Sequence, residues 1–313
     1  MKAIKNLIIT IILLLSIYCI FAYQNEIIEF IMVKIIYKDE ILDKEANKYY
    51  KDIDYEYIQL TDNYRPNNRQ DILNLFYTAL DKGYDELIFY CPTTYEDCVE
   101  EVNKIATEET TLSYINNFVA TYNSYTKIYV NINNFGRVNI TINKIYDDED
   151  ISKIDNKIDE LYNSLIKDGM TDEEKIRAIH DYIILNTSYD QEQANIVKNN
   201  VLTGDENAIS SNTAIGPLFT GKAICGGYTD LMALFLDKMG IKNIKIASDT
   251  HIWNAVYLDG EWKHLDLTWD DPVVINGDDT LTYNYFLIST KELKEKNDEK
   301  HNFNEEIFSE LKN

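Results

Sequence analysis

The sequence predicts an α+β protein: a helix bearing a cysteine packed on an antiparallel sheet, preceded by a smaller α+β domain. Three observations predict it. Leu231, Leu234, Phe235, Leu236 and Met239 recur at helical spacing behind Cys225. The apolar runs 251–258 and 261–269 flank Asp259-Gly260, a strong signal for a two-residue hairpin. Between Gln24 and Tyr146, helical and strand-like runs are mixed.

At 313 residues the chain holds one large or two ordinary domains, and 45% hydrophobic residues suffice for a core. The formal charge of −23 and pI near 4.5 make a surface that repels nucleic acid and anionic lipid. Nucleic acid is therefore not expected as a partner. Lys2 and Lys5 precede an uncharged apolar run from Leu7 to Ala22, which resembles a secretory signal. It is shorter than the ~20 residues of a membrane span. The rival is an uncleaved anchor, favoured by the apolar residues between Ile27 and Ile36. Either way the rest of the chain is expected outside the cytoplasm, exported or held at the cell surface.

Four segments are expected: 1–22 as signal or anchor, 24–146 as an N-terminal α+β domain, 150–290 as the main domain, and 291–313 as a tail. In the first domain, Gln70–Leu80 reads as a helix stopped by Gly83, and Asp85–Cys91 as a strand. Thr94 and Asp97 suggest a capping box opening a helix to Ala106. Thr126–Asn133 and Arg137–Tyr146 alternate across Asn134-Phe135-Gly136 as a hairpin. Cys91 and Cys98 are expected as two small buried thiols, with a disulfide as the alternative. Asp147–Asp150 reads as a solvated boundary.

In the main domain, Ile154, Ile158, Leu161 and Leu165 share one helical face, and Thr171 with Glu174 caps a second helix to about Leu185. His180, among Ile176, Ile179 and Ile183, is expected to be a core hydrogen-bonder. Asn199–Lys222 is a long polar loop just before Cys225, placed to shape or cover a cleft. Asn243–Ser248 and Tyr283–Ile288 read as strands, and Lys291–Asn313 as a frayed or loosely docked helix. Asp270, Asp271, Asp278 and Asp279 lack the carboxylate spacing of an EF-hand and read as a solvated turn.

The chemistry concentrates between Gly221 and Pro272. The helix there is expected to begin near Ile224 or Cys225, which places a thiol against unpaired N–H groups and the positive end of the helix dipole. Both favour the reactive thiolate. Gly226 and Gly227 are poor helix formers, and their lack of a β-carbon lets another backbone, or a substrate, come close. A two-residue turn pairs Leu258 with Glu261, so Trp253 lies opposite Asp266 and His251 opposite Thr268. His251, Trp253, Ala255, His264, Asp266 and Thr268 then share one face, with His251 and Asp266 diagonal neighbours. Cys225 has too few ligands nearby for a metal site, and no phosphate loop or dinucleotide fingerprint occurs. No cofactor is expected.

The runs G-K-A-I-C-G-G-Y, H-I-W-N-A-V and W-K-H-L-D-L-T-W-D-D-P, with I-H-D-Y-I-I-L-N-T-S-Y-D upstream (Ile179 to Asp190), resemble the core of the transglutaminase-like superfamily, in its bacterial exported form. The resemblance covers roughly the second half of the chain and implies a papain-like Cys-His-Asp arrangement. Cys225 would be nucleophile, His251 base and Asp266 the group orienting the base. His264 stands where the family commonly has an aromatic residue. Tyr189, near the site in similar proteins, would donate to an oxyanion. The expected activity is cysteine-dependent acyl transfer on amide bonds of protein or peptide substrates, cell-wall peptide included, as a peptidase or amidase. The alternatives are a protein cross-linking transglutaminase and a non-catalytic surface binding module on the same fold.

Overall fold

The computed structural model describes residues 2–31, 55–61, 63–198, 210–271 and 281–312. The chain divides into two compact units, Met1–Leu112 with Tyr125–Lys144, and Ser113–Ser124 with Ile145–Asn313. The first opens with helices α1 (Lys2–Ala22) and α2 (Gln24–Ile31). The stretch Ile4–Ala22 is long and apolar enough to cross a membrane.

The rest of the first unit is built on α3 (Arg69–Asp81), β1 (Glu86–Tyr90), α4 (Cys98–Thr107), β2 (Tyr125–Ile132) and β3 (Arg137–Lys144), with α5 (Glu109–Phe118) straddling the division. Asn68 caps α3 by accepting the Asp71 N–H, and Gly83, at φ 68°, ends the turn that follows. The three strands form an antiparallel sheet in the order β1-β3-β2. Two sequence expectations fail here. Asp97 precedes α4 without a side-chain cap, so the Thr94 capping box does not form. Cys91 and Cys98 are not separate thiols but a disulfide. It ties the end of β1 to the first residue of α4.

The second unit is where sequence and local structure agree most closely. Its helices α6 (Asp148–Leu165) and α7 (Asp172–Asn186) are both capped as their acidic starts require. Asp147 accepts the Asp150 N–H, so the acidic run is a helix start rather than a free boundary; its carboxylates suit the positive end of the helix dipole. Thr171 and Glu174 form the reciprocal capping box. Then come β4 (Ser188–Tyr189), α8 (Gln191–Lys198), β5 (Lys222–Ala223) and α9 (Cys225–Met239), ended by Gly240 in the left-handed conformation.

Strands β6 (Asn243–Ala247), β7 (Ile252–Leu258) and β8 (Glu261–Leu265) make an antiparallel sheet in that order. Asp259 and Gly260 both have positive φ, 55° and 88°, as a type I′ hairpin turn requires. Leu258 pairs with Glu261 and Asn254 with Leu265. α9 packs across β6 and β7 and against α7, burying Leu231, Met232, Phe235 and Leu236 with Ile176, Ile179 and Val256. This is the expected α+β architecture, a cysteine-bearing helix on an antiparallel sheet.

Three local expectations are corrected. The second hairpin strand stops at Leu265, and Leu267–Asp270 forms a short helix, α10. Asp266 causes this: its Oδ1 accepts the N–H groups of Thr268 (3.0 Å) and Trp269 (3.3 Å), a cap that competes with the ladder. Thr268 therefore does not pair with His251. Tyr283–Ile288 is not a strand: the Tyr285 N–H goes to the Asp270 carboxylate (2.9 Å), Leu287 has φ 51°, and only Ile288 bridges to His264. The segment after Ser289 is not frayed. It holds α11 (Thr290–Glu295) and buries His301, Phe308 and Leu311, packing Phe308 and Leu311 with Phe118, Trp253 and Trp262. The acidic residues 278 and 279 lie outside the described residues, as do 199–209 of the polar loop.

One buried ion pair anchors α9 to the sheet. Lys245 Nζ on β6 donates to Asp230 Oδ1 and to Ser124 Oγ, both at 3.0 Å, and Tyr146 donates to Asp230 Oδ2 at 2.6 Å. Breaking such a pair strands one charge in a low-dielectric interior. Lys245→Ala should therefore lower unfolding stability by about 3–5 kcal/mol, read as a shift of the urea midpoint by tryptophan fluorescence. An unmoved midpoint would show that Asp230 finds water or another donor.

Candidate active site

Cys225 is the first residue of α9, preceded by extended Ile224. The Ile224 N–H donates to Ser211 O (2.8 Å), and its carbonyl accepts from Gly227 N (2.9 Å). The amides of Cys225 and Gly226 stand in the first turn, where N–H groups have no intrahelical acceptor. A β-carbon on Gly226 would collide with the Asn212 side chain, and one on Gly227 would lie 2.5 Å from Ser211 O. The two glycines thus serve a close approach of the 211–213 backbone, which fixes where the sulfur stands.

Two hydrogen bonds dock the hairpin on the same helix. Thr229 Oγ1 donates to Ile252 O (3.0 Å), and Asn254 Nδ2 donates to Thr229 O (3.1 Å). His251 lies just before β7 and Asp266 just after β8, so both leave the ribbon at one end. His251 Nε2–H donates to Asp266 Oδ2 at 2.5 Å. The Cys225 side chain is near enough to the His251 ring to help hold it charged; with Nε2 engaged, Nδ1 is the nitrogen left for sulfur. The structure thus brings all three expected residues into one chain of contacts.

The electrostatics follow from burial and pairing. Burial opposes a charged His251 ring, but the Asp266 carboxylate, by charge and hydrogen bond, and the Cys225 sulfur outweigh it, lifting the imidazole from 6.5 to about 10. Burial pushes Asp266 upward; the charge and N–H of His251, with help from His301, more than reverse this and hold it at about 2. His264 behaves oppositely, driven down to about 3 by burial and then by His301. It is a neutral link in a relay. Trp253 Nε1–H donates to His264 Nδ1 (3.0 Å), His264 Nε2–H to Thr290 Oγ1 (3.1 Å), and that hydroxyl to Leu311 O (3.1 Å).

Trp253 is buried and stacks on the His251 ring at 5.6 Å, while Trp269 meets it edge-on at 6.4 Å. Tyr189 is half-buried; burial, and then the Cys225 side chain, raise its hydroxyl above the ordinary tyrosine range. His180 is the core hydrogen-bonder expected, with Nε2 3.2 Å from Asp270 Oδ2 and Nδ1 3.0 Å from Asp181 Oδ1. It joins α7 to α10.

The residue that sequence reasoning missed is His301. Its Nε2–H donates to Asp266 Oδ2 at 2.8 Å. The one available signal was the spacing of Phe303, Ile307, Phe308 and Leu311, a sparse apolar set inside a charged segment. His251, Asp266 and His301 place three potential ligand atoms within 4.8 Å of one another. Yet the oxygen sits 2.5 and 2.8 Å from the two nitrogens, closer than the ~3.3 Å that separates tetrahedral zinc ligands bonded at about 2.0 Å. The spacing is that of hydrogen bonds.

The raised His251 and lowered Asp266 set a window for stability. A raised imidazole stabilises fully below its unfolded value of 6.5, and the contribution is lost as pH climbs to about 10. A depressed carboxylate stabilises above 3.8, and the contribution is lost as pH falls to about 2. The melting-temperature gap between wild type and His251→Gln should be widest between about pH 4 and 6.5 and shrink toward pH 10. A constant gap from pH 6 to 10 would contradict a charged pair.

Residues 159–267 match the family model described as the transglutaminase-like superfamily. Human kyphoscoliosis peptidase is 27% identical over 151 residues, 42% of this chain and 21% of that protein. Its mouse counterpart is 26% identical over 144 residues, 41% of this chain and 20% of that protein. The chain thus spans about a fifth of the length of these relatives. A solved structure described as a TGase aligns with a TM-score of 0.35 and 19% identity, covering 50% of this chain and 46% of that one. The stretch that matches the transglutaminase-like superfamily model, about a third of the chain, holds the cysteine-bearing helix, the histidine strand and the aspartate that follows the hairpin.

Proposed function

We propose that the protein is a cysteine-dependent hydrolase of amide bonds in protein or peptide substrates, working through a thioacyl intermediate. One observation carries this: a single buried imidazole is bonded to the Asp266 carboxylate and close enough to the Cys225 sulfur to be held charged in part by it. The proton already rests on His251, which the site keeps charged, and sulfur attacks the carbonyl carbon without a further proton transfer. First-turn N–H groups at Cys225 and Gly226 face the developing oxyanion, and the Tyr189 hydroxyl, kept protonated, is a further donor nearby. The tetrahedral adduct collapses as His251 gives its proton to the leaving amine. Water then enters, His251 accepts its proton, and a second collapse releases the carboxylic acid and restores the thiol. Asp266 holds the Nε2–H tautomer and balances the charge on the ring throughout.

The reading extends to location. An apolar helix at residues 4–22 and a disulfide between Cys91 and Cys98 fit a protein outside the reducing cytoplasm, with the helix serving as signal or anchor. Peptide amides of the cell surface are then the substrates within reach, and the acidic surface does not suit nucleic acid.

Cys225→Ala should abolish turnover of a peptide library, and Asp266→Ala should lower kcat/KM on the order of 10³-fold or more. Product masses on a peptide carrying both glutamine and lysine separate the chemistries. Addition of water supports hydrolysis; an isopeptide-linked product with loss of ammonia makes the protein a cross-linker. Full activity in Cys225→Ala would remove the nucleophile assignment, whereas equal, negligible labelling of wild type and Cys225→Ala by a thiol-directed amide probe would leave a binding module.

A further inference from the structure

Asp266 is buried, and a buried carboxylate needs donors on both oxygens. Oδ1 has the N–H groups of Thr268 and Trp269. Oδ2 has two imidazoles, His251 at 2.5 Å and His301 at 2.8 Å. His301 ends the short turn Glu299–His301, which Asp298 opens by accepting the Lys300 N–H (3.0 Å). The other oxygen of Asp298 lies 3.3 Å from His301 Nδ1. Both ring nitrogens therefore face carboxylate oxygens.

The ring cannot readily turn away. It stacks on Tyr285 at 4.7 Å and 18°, and meets Trp253 and Trp269 edge-on, both at 5.0 Å. It stands at 83° to the His251 ring, 5.3 Å away. The other charged or titratable groups around it are the neutral His264, Lys300 over the Trp269 ring, and Lys296 over the Tyr285 ring. Among the described residues, only His301 adds a side-chain donor to Asp266 from outside the hairpin.

We propose that His301 is a positioning residue: its Nε2–H fixes the Asp266 carboxylate so that Oδ2 holds the His251 imidazole against the Cys225 sulfur. This rests on the acyl-transfer reading above. The working unit then extends past residue 267, where the family match ends, to the turn at 299–301. Removing the donor frees the carboxylate to rotate about its capping oxygen and lets it take up a proton at higher pH, because His301 is one of the groups that hold it ionised.

The test is alkylation of Cys225 by iodoacetamide between pH 4 and 9, followed on the Cys225 peptide of the full chain by mass spectrometry. The chains compared are wild type, His251→Ala, His301→Leu and His301→Gln. Leucine fills the aromatic cage without a donor, whereas glutamine keeps an N–H near the Nε2 position. We expect His301→Leu to be alkylated about tenfold more slowly at pH 6, the scale of one charge-assisted hydrogen bond, with its acid limb moved to higher pH. His301→Gln should stay within about threefold of wild type. Should His301→Leu not fold, His301→Asn, polar but too short to reach Oδ2, takes its place with the same expectation. A wild-type rate no faster than that of His251→Ala sinks the catalytic reading and this one with it. A His251-dependent rate that His301→Leu leaves unchanged sinks the His301 role alone. So does a His301→Gln rate as slow as that of His301→Leu, since packing rather than a donor would then be at issue.

Discussion

The carboxylate of Asp266 is the point on which the second unit converges. One oxygen caps the short helix Leu267–Asp270 and the other receives two imidazoles. A buried, ionised carboxylate is tolerated only when its hydrogen bonds are complete, so each donor constrains the element that supplies it. The cap turns the chain out of the sheet at residue 266. The His251 bond holds the start of β7 against the end of β8. The His301 bond draws the C-terminal segment across the end of the ribbon. The site is the place where these three requirements are met together.

Much of this was legible in the sequence because it rests on short-range chemistry. Asp259-Gly260 fixed a turn, the turn fixed the register, and the register brought His251 and Asp266 to one end of the ribbon. Thr171 with Glu174, and Gly240 after Met239, marked helix ends through local hydrogen bonds that need no tertiary partner. Period-two alternation likewise separated β2 from β3 across Gly136.

What was not legible depends on distant partners. Glu261–Trp269 reads as one strand until a backbone cap competes with the ladder, and only the orientation of Asp266 decides the outcome. Tyr283–Ile288 has the composition of a strand, but a buried carboxylate 15 residues earlier takes the Tyr285 N–H. Cys91 and Cys98 gave no indication of redox state, which follows from the fold bringing the end of β1 onto α4. His301 sits among lysines, glutamates and asparagines, and its burial arises because Phe308 and Leu311 find the aromatic cluster around Trp253. The glycines at 226 and 227 were understood in kind, as sites of close approach. Which backbone came close was a tertiary fact.

The relay from Trp253 through His264 and Thr290 to the carbonyl of Leu311 bears on where this domain ends. A polypeptide cut after residue 267, at the edge of recognisable similarity, would keep the thiol, the imidazole and the carboxylate. It would leave the indole–imidazole pair without its hydroxyl and carbonyl, and would open the aromatic cluster to water. The hydrogen-bonded structure around the site thus reaches at least to Leu311, and similarity alone would trim it too short.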